Sequence, residues 1–143
     1  MMQSSLRPFL TEIRFTTQTY DIDFAGIVSN IVYIRWLEDL RLKLLEKHWP
    51  LDEQLRQGYT PVLLSTSIEY LKALRLFDRP EGSMWLSDLG RARFTLGAEM
   101  KLGDVPVTRA TQQCAFVNSV TLRPIRVPRG LRSEFERDLA SRG

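Results

Sequence analysis

One long amphipathic segment, followed almost entirely by strand-like runs, limits this chain more than any other feature. From Asn30 to about Lys47 the sequence NIVYIRWLEDLRLKLLEK has helical periodicity. At about 100° per residue, Tyr33, Ile34, Trp36, Leu37, Leu40, Leu44 and Leu45 share one broad arc, and Arg35, Asp39, Lys43 and Glu46 lie opposite. Such a helix is about 27 Å long, and an apolar face that wide needs a broad partner surface. Ser29 and Asn30 are both good N-caps. Pro50 helps to end the helix, and LDEQLRQG (51–58) reads as a short extra helical turn closed by Gly58.

The partner is supplied by the rest of the chain. FLTEIRFTTQTY (9–20) alternates β-branched or aromatic residues with polar ones and predicts a strand. Further strands are predicted at 60–74, 83–92, 93–102 and 105–119, with Gly103-Asp104 as the tight turn between the last two. Pro124 and Pro128 break the pattern, and 129–143 is a tail or a loosely held terminal helix. Residues 1–8 read as a frayed, flexible end. The order is strand, long helix, then several antiparallel strands. It predicts an α+β class, one sheet wrapped around one central helix, in a single domain spanning 1–143.

Composition narrows the function classes. The 143 residues are 43% apolar and 26% charged, which suits a globular domain with a real core. No apolar run is long enough to span a bilayer and no signal-peptide pattern opens the chain, so the expected location is cytoplasmic, without a membrane. Cys114 and His48 are each the only residue of their kind. A disulfide framework and a multi-cysteine or His-rich metal site are thereby excluded, and a Ser-His-Asp or Cys-His machine would have to be built around His48. The net charge of +3 comes with no aromatic-interleaved basic cluster, so nucleic acid is not expected as a partner.

The chemistry is concentrated in YDIDFAGIVSN (20–30). Asp23 lies seven residues before Asn30, on the turn feeding the helix. The first amides of a helix lack internal partners and carry partial positive charge. A carbonyl docked there is polarised, and an oxyanion forming from it is stabilised. Gly26 lets the backbone approach a ligand closely. A carboxylate facing that carbonyl can attack it or activate a water, and a thioester yields more readily than an amide. The competing reading is structural: acidic residues ahead of a helix commonly cap it or its dipole.

YDIDFAGIVSNIVYIRWLEDLR (20–41) resembles the signature of hotdog-fold acyl-CoA thioesterases of the 4-hydroxybenzoyl-CoA thioesterase family. Asp21, Asp23, Gly26, Ile27, Val28, Tyr33, Glu38 and Arg41 meet its motif. The resemblance extends over about 10–128 and implies a hotdog fold, one sheet around a central helix. It implies that Asp23 is the catalytic carboxylate and that the amide of Asn30 polarises the thioester. It also implies that Arg91 and Arg93 can meet the phosphates of coenzyme A. Gly26, Ile27, Val28, Tyr33 and Leu37 become the candidates for holding substrate, the last four lining the acyl pocket. The expected substrate is an acyl-CoA or acyl-carrier-protein thioester, with no metal or other cofactor implied beyond the coenzyme A of the substrate. The resemblance further implies a homodimer or homotetramer. The chain departs from relatives at Ala73 and at Phe77-Asp78, and Asn30 stands where relatives often have His or Tyr.

Other residues are assigned structural roles. Arg41 lies inside the apolar arc and needs a partner, for which Glu38 is nearest. Glu69 is expected to face solvent, Cys114 to be a small buried residue, and His48 to sit as a cation at the helix C-terminus. A non-catalytic acyl-thioester-binding subunit is the alternative. A dehydratase would need a His placed differently.

Overall fold

The computed structural model describes residues 6–143. In chain order it contains β1 (Thr11–Arg14), α1 (Asn30–His48), α2 (Leu51–Arg56), β2 (Tyr59–Tyr70), β3 (Glu81–Leu89), β4 (Arg93–Leu102), β5 (Val105–Asn118) and α3 (Arg129–Arg142). The strands form one antiparallel sheet in the order β1-β3-β4-β5-β2. This is the expected α+β architecture, with α1 lying across one face.

The arc read from the sequence is the buried one. Tyr33, Trp36, Leu37, Leu40, Leu44 and Leu45 are all buried, while Ile34 is partly outside at 39% exposure. Leu37 and Leu40 meet Met84, Leu96, Met100 and Phe116 in a single core. Each fully buried side chain of this size contributes about 1.5–3 kcal/mol relative to exposure, so the arc dominates the helix's stability.

Three expected boundaries move, each for a local reason. The first strand is only four residues long. Phe9 takes φ +62° and stacks on His48 with centroids 3.7 Å apart, while Thr17 donates its amide and hydroxyl to carbonyls of the 75–78 turn. Both ends of that segment are therefore diverted from the sheet. Strand β2 stops at Tyr70, because the amides of Leu71 and Lys72 both turn to the Val107 carbonyl. The proposed flexible end falls partly outside the described residues (1–5). Within it, Pro8 accepts from the Leu86 amide and the Arg7 guanidinium stacks 4.0 Å over Trp85, so 6–8 are held.

Helix α3 is also more firmly seated than its sequence suggests. Phe135 meets Phe9 edge-on at 6.1 Å, and the Asp138 carboxylate accepts from the Phe9 amide at 2.7 Å. Arg132 donates to the Leu89 and Gly90 carbonyls.

Close packing under the helix depends on Gly82 of β3. A Cβ there would lie 2.6 Å from the Phe15 ring and 3.2 Å from Leu40. Gly82→Ala should therefore lower the unfolding free energy by about 1–3 kcal/mol, read from the urea midpoint. An unchanged midpoint would show that β3 and α1 are not this tightly apposed.

Candidate active site

Residues 22–28 form a tight loop immediately ahead of α1. Ile22 bridges to Val28, the Asp23 amide donates to the Ile27 carbonyl at 2.9 Å, and the Gly26 amide returns to the Asp23 carbonyl at 3.0 Å. Gly26 closes this turn at φ +80°, a conformation glycine adopts without penalty. The loop is anchored on both sides. Val28 donates to the Leu74 carbonyl at 2.8 Å, and Ser29 donates to the Asp21 carbonyl at 2.9 Å.

The two carboxylates of YDID have separate roles. Asp21 is buried, and its Oδ2 accepts from the Gln18 amide at 2.8 Å, closing a short 3₁₀ turn. Asp23 is half-buried, and its Oδ1 accepts from the Ala25 amide at 2.8 Å. Its other oxygen has no hydrogen-bond partner among the described residues. Neither carboxylate caps α1. The Ser29 side chain at the N-cap makes no capping hydrogen bond either. The first amides of α1 are thus left without the side-chain acceptor that usually satisfies them.

The other predicted site residues separate into three groups. Val28, Tyr33 and Leu37 are core residues of the protomer, at 2%, 2% and 0% exposure, and Ile27 is half-buried. Burial raises the pKa of the Tyr33 phenol, partly offset by a hydrogen bond with the Leu74 backbone. The residues beside Asn30 that do remain open are Ile31 and Ile34. Arg91 and Arg93 are exposed at the β3–β4 hairpin. Arg93 is registered with Ala115, whereas the segment next to Asp23 joins β5 through Val107. Eight residues of strand at roughly 3.4 Å each place the hairpin about 27 Å away within one protomer.

Arg91 has company that sequence reasoning missed. With Arg126, Arg129, Arg132 and Tyr59 it lines a cleft of about 600 Å³. The arginines are scattered along the sequence, and only the packing of α3 gathers them. A second omission is Gln112, buried at 1%, which accepts from Arg41 at 2.9 Å and donates to Thr66 at 3.2 Å. Glu38, the expected partner, is 3.6 Å from Arg41. The inward alternation of β5 (Ala110, Gln112, Cys114) was the available signal for Gln112. Glu69 lines a cleft of about 610 Å³ on the outer face of the sheet, with Arg7, Trp85, Glu99 and Arg109. Neither of these clefts touches Asp23 or Asn30.

The family model of the thioesterase-like superfamily matches residues 17–135. A candidate esterase of Aquifex aeolicus (strain VF5) is 33% identical over 113 residues, covering 78% of this chain and 87% of the relative. Among solved structures, a Staphylococcus aureus protein in complex with CoA superposes with a TM-score of 0.86 at 18% identity, covering 96% of this chain and 89% of that one. A DHNA-CoA thioesterase of the same organism gives 0.80 at 19% identity, covering 92% and 90%.

Two titratable groups lie in the packing rather than in the loop before α1. Burial pushes the Cys114 thiol up to about 11, slightly opposed by Arg41, so it is a neutral core residue. His48 differs from expectation. Its ring is sandwiched on Phe9, its Nδ1 lies 3.5 Å from Glu134, and its Nε2 is buried without a partner. Burial lowers its pKa below 6.5, against the opposing pull of Glu134 and Asp138 and with a small contribution from Lys47. It is therefore a neutral packing residue, because desolvation outweighs the helix-end field. The unfolded chain takes up a proton below about 6.5 that the folded chain resists, so stability is lost on acidification through that range. The wild-type urea midpoint should fall between pH 7.5 and 5.5, His48 contributing at most about 1.4 kcal/mol per pH unit. His48→Gln should show a distinctly smaller fall, and an identical fall would exclude this role.

Proposed function

The chain belongs to the thioesterase-like superfamily, and on that footing we propose that it hydrolyses acyl-CoA thioesters, with Asp23 as the reacting carboxylate. The observation that carries this reading is the division of labour just described. One carboxylate of the loop is consumed in holding the turn, the second keeps an oxygen free, and the adjacent helix presents uncapped amides. A thioester carbonyl seated on the Asn30 amide gains polarisation from a donor that needs no reorganisation. Asp23 then attacks the carbonyl carbon directly, or takes a proton from a water that does so. The negative charge building on the carbonyl oxygen faces the helix N-terminus, where the dipole favours it. By direct attack the C–S bond breaks, coenzyme A leaves as the thiolate, and water then opens the acyl-aspartyl anhydride to the free acid and the Asp23 carboxylate. By the water route the C–S bond breaks as the hydroxyl adds, and the proton held on Asp23 passes to the departing thiolate. A carrier-protein thioester offers the same reacting atoms and is the alternative substrate.

In a single protomer Phe24, Ala25 and Gly26 of the loop are exposed, so an acyl chain placed there needs a second wall. Strand β2 has a free edge twelve residues long, with Leu63, Leu64 and Tyr70 exposed. A long apolar edge of this kind is a template for another strand. Antiparallel pairing of two β2 edges about a two-fold axis closes it, bringing the Tyr59 end of one protomer to the Tyr70 end of the other. Arg91 and Arg93 of one subunit then stand on the same side as Asp23 of its mate and can meet coenzyme A phosphates there. Ile27, Ile31 and Ile34 are the apolar side chains left open to an acyl group at this end, with Val28, Tyr33 and Leu37 packed behind them in the core.

Thiol release from aromatic, short-chain and long-chain acyl-CoAs tests the chemistry. Asp23→Asn should lower kcat by about a hundredfold or more while leaving the thermal midpoint near that of the wild type. Undiminished turnover in Asp23→Asn removes this mechanism. Tight binding without turnover on any ester of the panel would instead favour a non-catalytic acyl-thioester binder.

A further inference from the structure

The turn at 75–79 carries an aromatic side chain that the fold neither needs nor shelters. Phe77 has φ +77° and is 84% exposed. A bulky residue in that region bears backbone strain. At Phe9, which shares the conformation, the ring is buried at 1% and packed on His48 and Phe135, so packing offsets the strain. Phe77 has no such return.

The turn itself is rigid. The Arg75 amide donates to Asp78 Oδ2 at 2.8 Å, the Asp78 amide returns to the Arg75 carbonyl at 3.1 Å, and the Thr17 hydroxyl reaches both the Arg75 and Asp78 carbonyls. The ring is therefore presented on a fixed mount. Three cations flank it, Lys72, Arg75 and Arg79, all exposed, and none has an ion-pair partner among the described residues. The position is also close to the chemistry. Leu74, three residues before Phe77, accepts from Val28 at 2.8 Å, and the Asp23 amide is 2.9 Å from the neighbouring Ile27 carbonyl. Three residues of chain reach at most about 11 Å.

A flat, exposed aromatic face among unpaired cations, one short loop from an acyl-transfer site, matches a planar base joined to phosphates. We propose that Phe77 stacks on the adenine of coenzyme A while Arg75 and Arg79 contact its phosphates, so that this turn is the nucleotide-recognition element of the site. The inference rests on the acyl-CoA reading above. Stacking tolerates solvent exposure because the base covers the ring only when bound, and guanidinium groups suit phosphate oxygens. Leu122 has the same backbone conformation and is 66% exposed, but offers no aromatic face, which makes it the natural control.

The test uses two readouts. Adenosine 3′,5′-bisphosphate is titrated calorimetrically into the full chain, Phe77→Gly, the double variant Arg75→Gln/Arg79→Gln, and Leu122→Gly. Glycine is at ease at this φ, so Phe77→Gly should keep or raise the thermal midpoint. It should weaken the bisphosphate about tenfold, while the double variant flattens the salt dependence of binding and Leu122→Gly matches the wild type. In turnover, the ratio of kcat/KM for an acyl-CoA to that for the same acyl-pantetheine ester should fall about tenfold in Phe77→Gly. A change of less than twofold in both readouts, equal losses on both esters, or the same loss in Leu122→Gly would overturn the assignment. If the wild type turns over neither ester, the hydrolase reading fails, and the bisphosphate titration still decides this one.

Discussion

Burial of one face of α1 against the sheet is the contact on which the other features depend. The helix is long, its apolar arc is broad, and no other element could cover it. The sheet must therefore curve around it and approach closely, which is why β3 carries glycine at position 82 beneath Phe15 and Leu40. Once the arc is seated, the axis of α1 is fixed, and with it the place where its N-terminus emerges. The chain entering that end has little freedom left. It runs from a short first strand through the 3₁₀ turn at 19–21 and the loop at 22–28. Its last two amides before the helix are already committed, Val28 to Leu74 and Ser29 to Asp21.

That commitment accounts for a helix end left uncapped. Ser29 is an excellent capping residue by type, yet its hydroxyl makes no capping bond. An unsatisfied helix terminus is ordinarily a fault that a nearby side chain corrects, and two carboxylates are available within a few residues. Both are turned to other amides, Gln18 and Ala25. The local structure holds its acceptors away from the helix, and what it leaves open is a polarised donor set a few residues along the chain from a carboxylate oxygen with spare capacity. This is the geometry expected where an acceptor arrives from outside the protein.

Much of this was legible in the sequence because two signals there are strong. The 3.6-residue period of α1 and the alternation of the later strands are written directly in residue type, and the order of elements followed. The turn and helix start in YDIDFAGIVSN could be read because carboxylates, glycine and capping residues lie within ten positions, whereas spacing alone favoured no catalytic role for Asp23 over a structural one. What the sequence concealed depends on tertiary gathering. Arg91, Arg126, Arg129 and Arg132 look like scattered surface charge until α3 docks. His48 looks like a helix-end cation until Phe9 covers it. Thr17 looks like strand until its hydroxyl finds the turn at 75–78. Tyr33 and Leu37 could not be separated into core and pocket lining by periodicity, since one face of a helix serves both.

The same turn connects the strained residue to the free edge. Strand β2 leaves the sheet at Tyr70, and the chain then crosses beneath the loop at 22–28 before entering β3. Any partner that pairs with β2 must therefore end its own strand next to this crossing. In the proposed two-fold arrangement the partner's Tyr59 end arrives there, with the arginine-lined cleft behind it. The Asp23 loop, the Phe77 turn and the partner's arginines would then border one channel, none of them sufficient alone. An acyl group demands apolar enclosure, a thioester carbonyl demands a fixed donor, and a nucleotide demands cations and a flat face. A chain of this size places these at separate points along one sheet, and pairing at the open edge is the economical way to bring them to a single substrate.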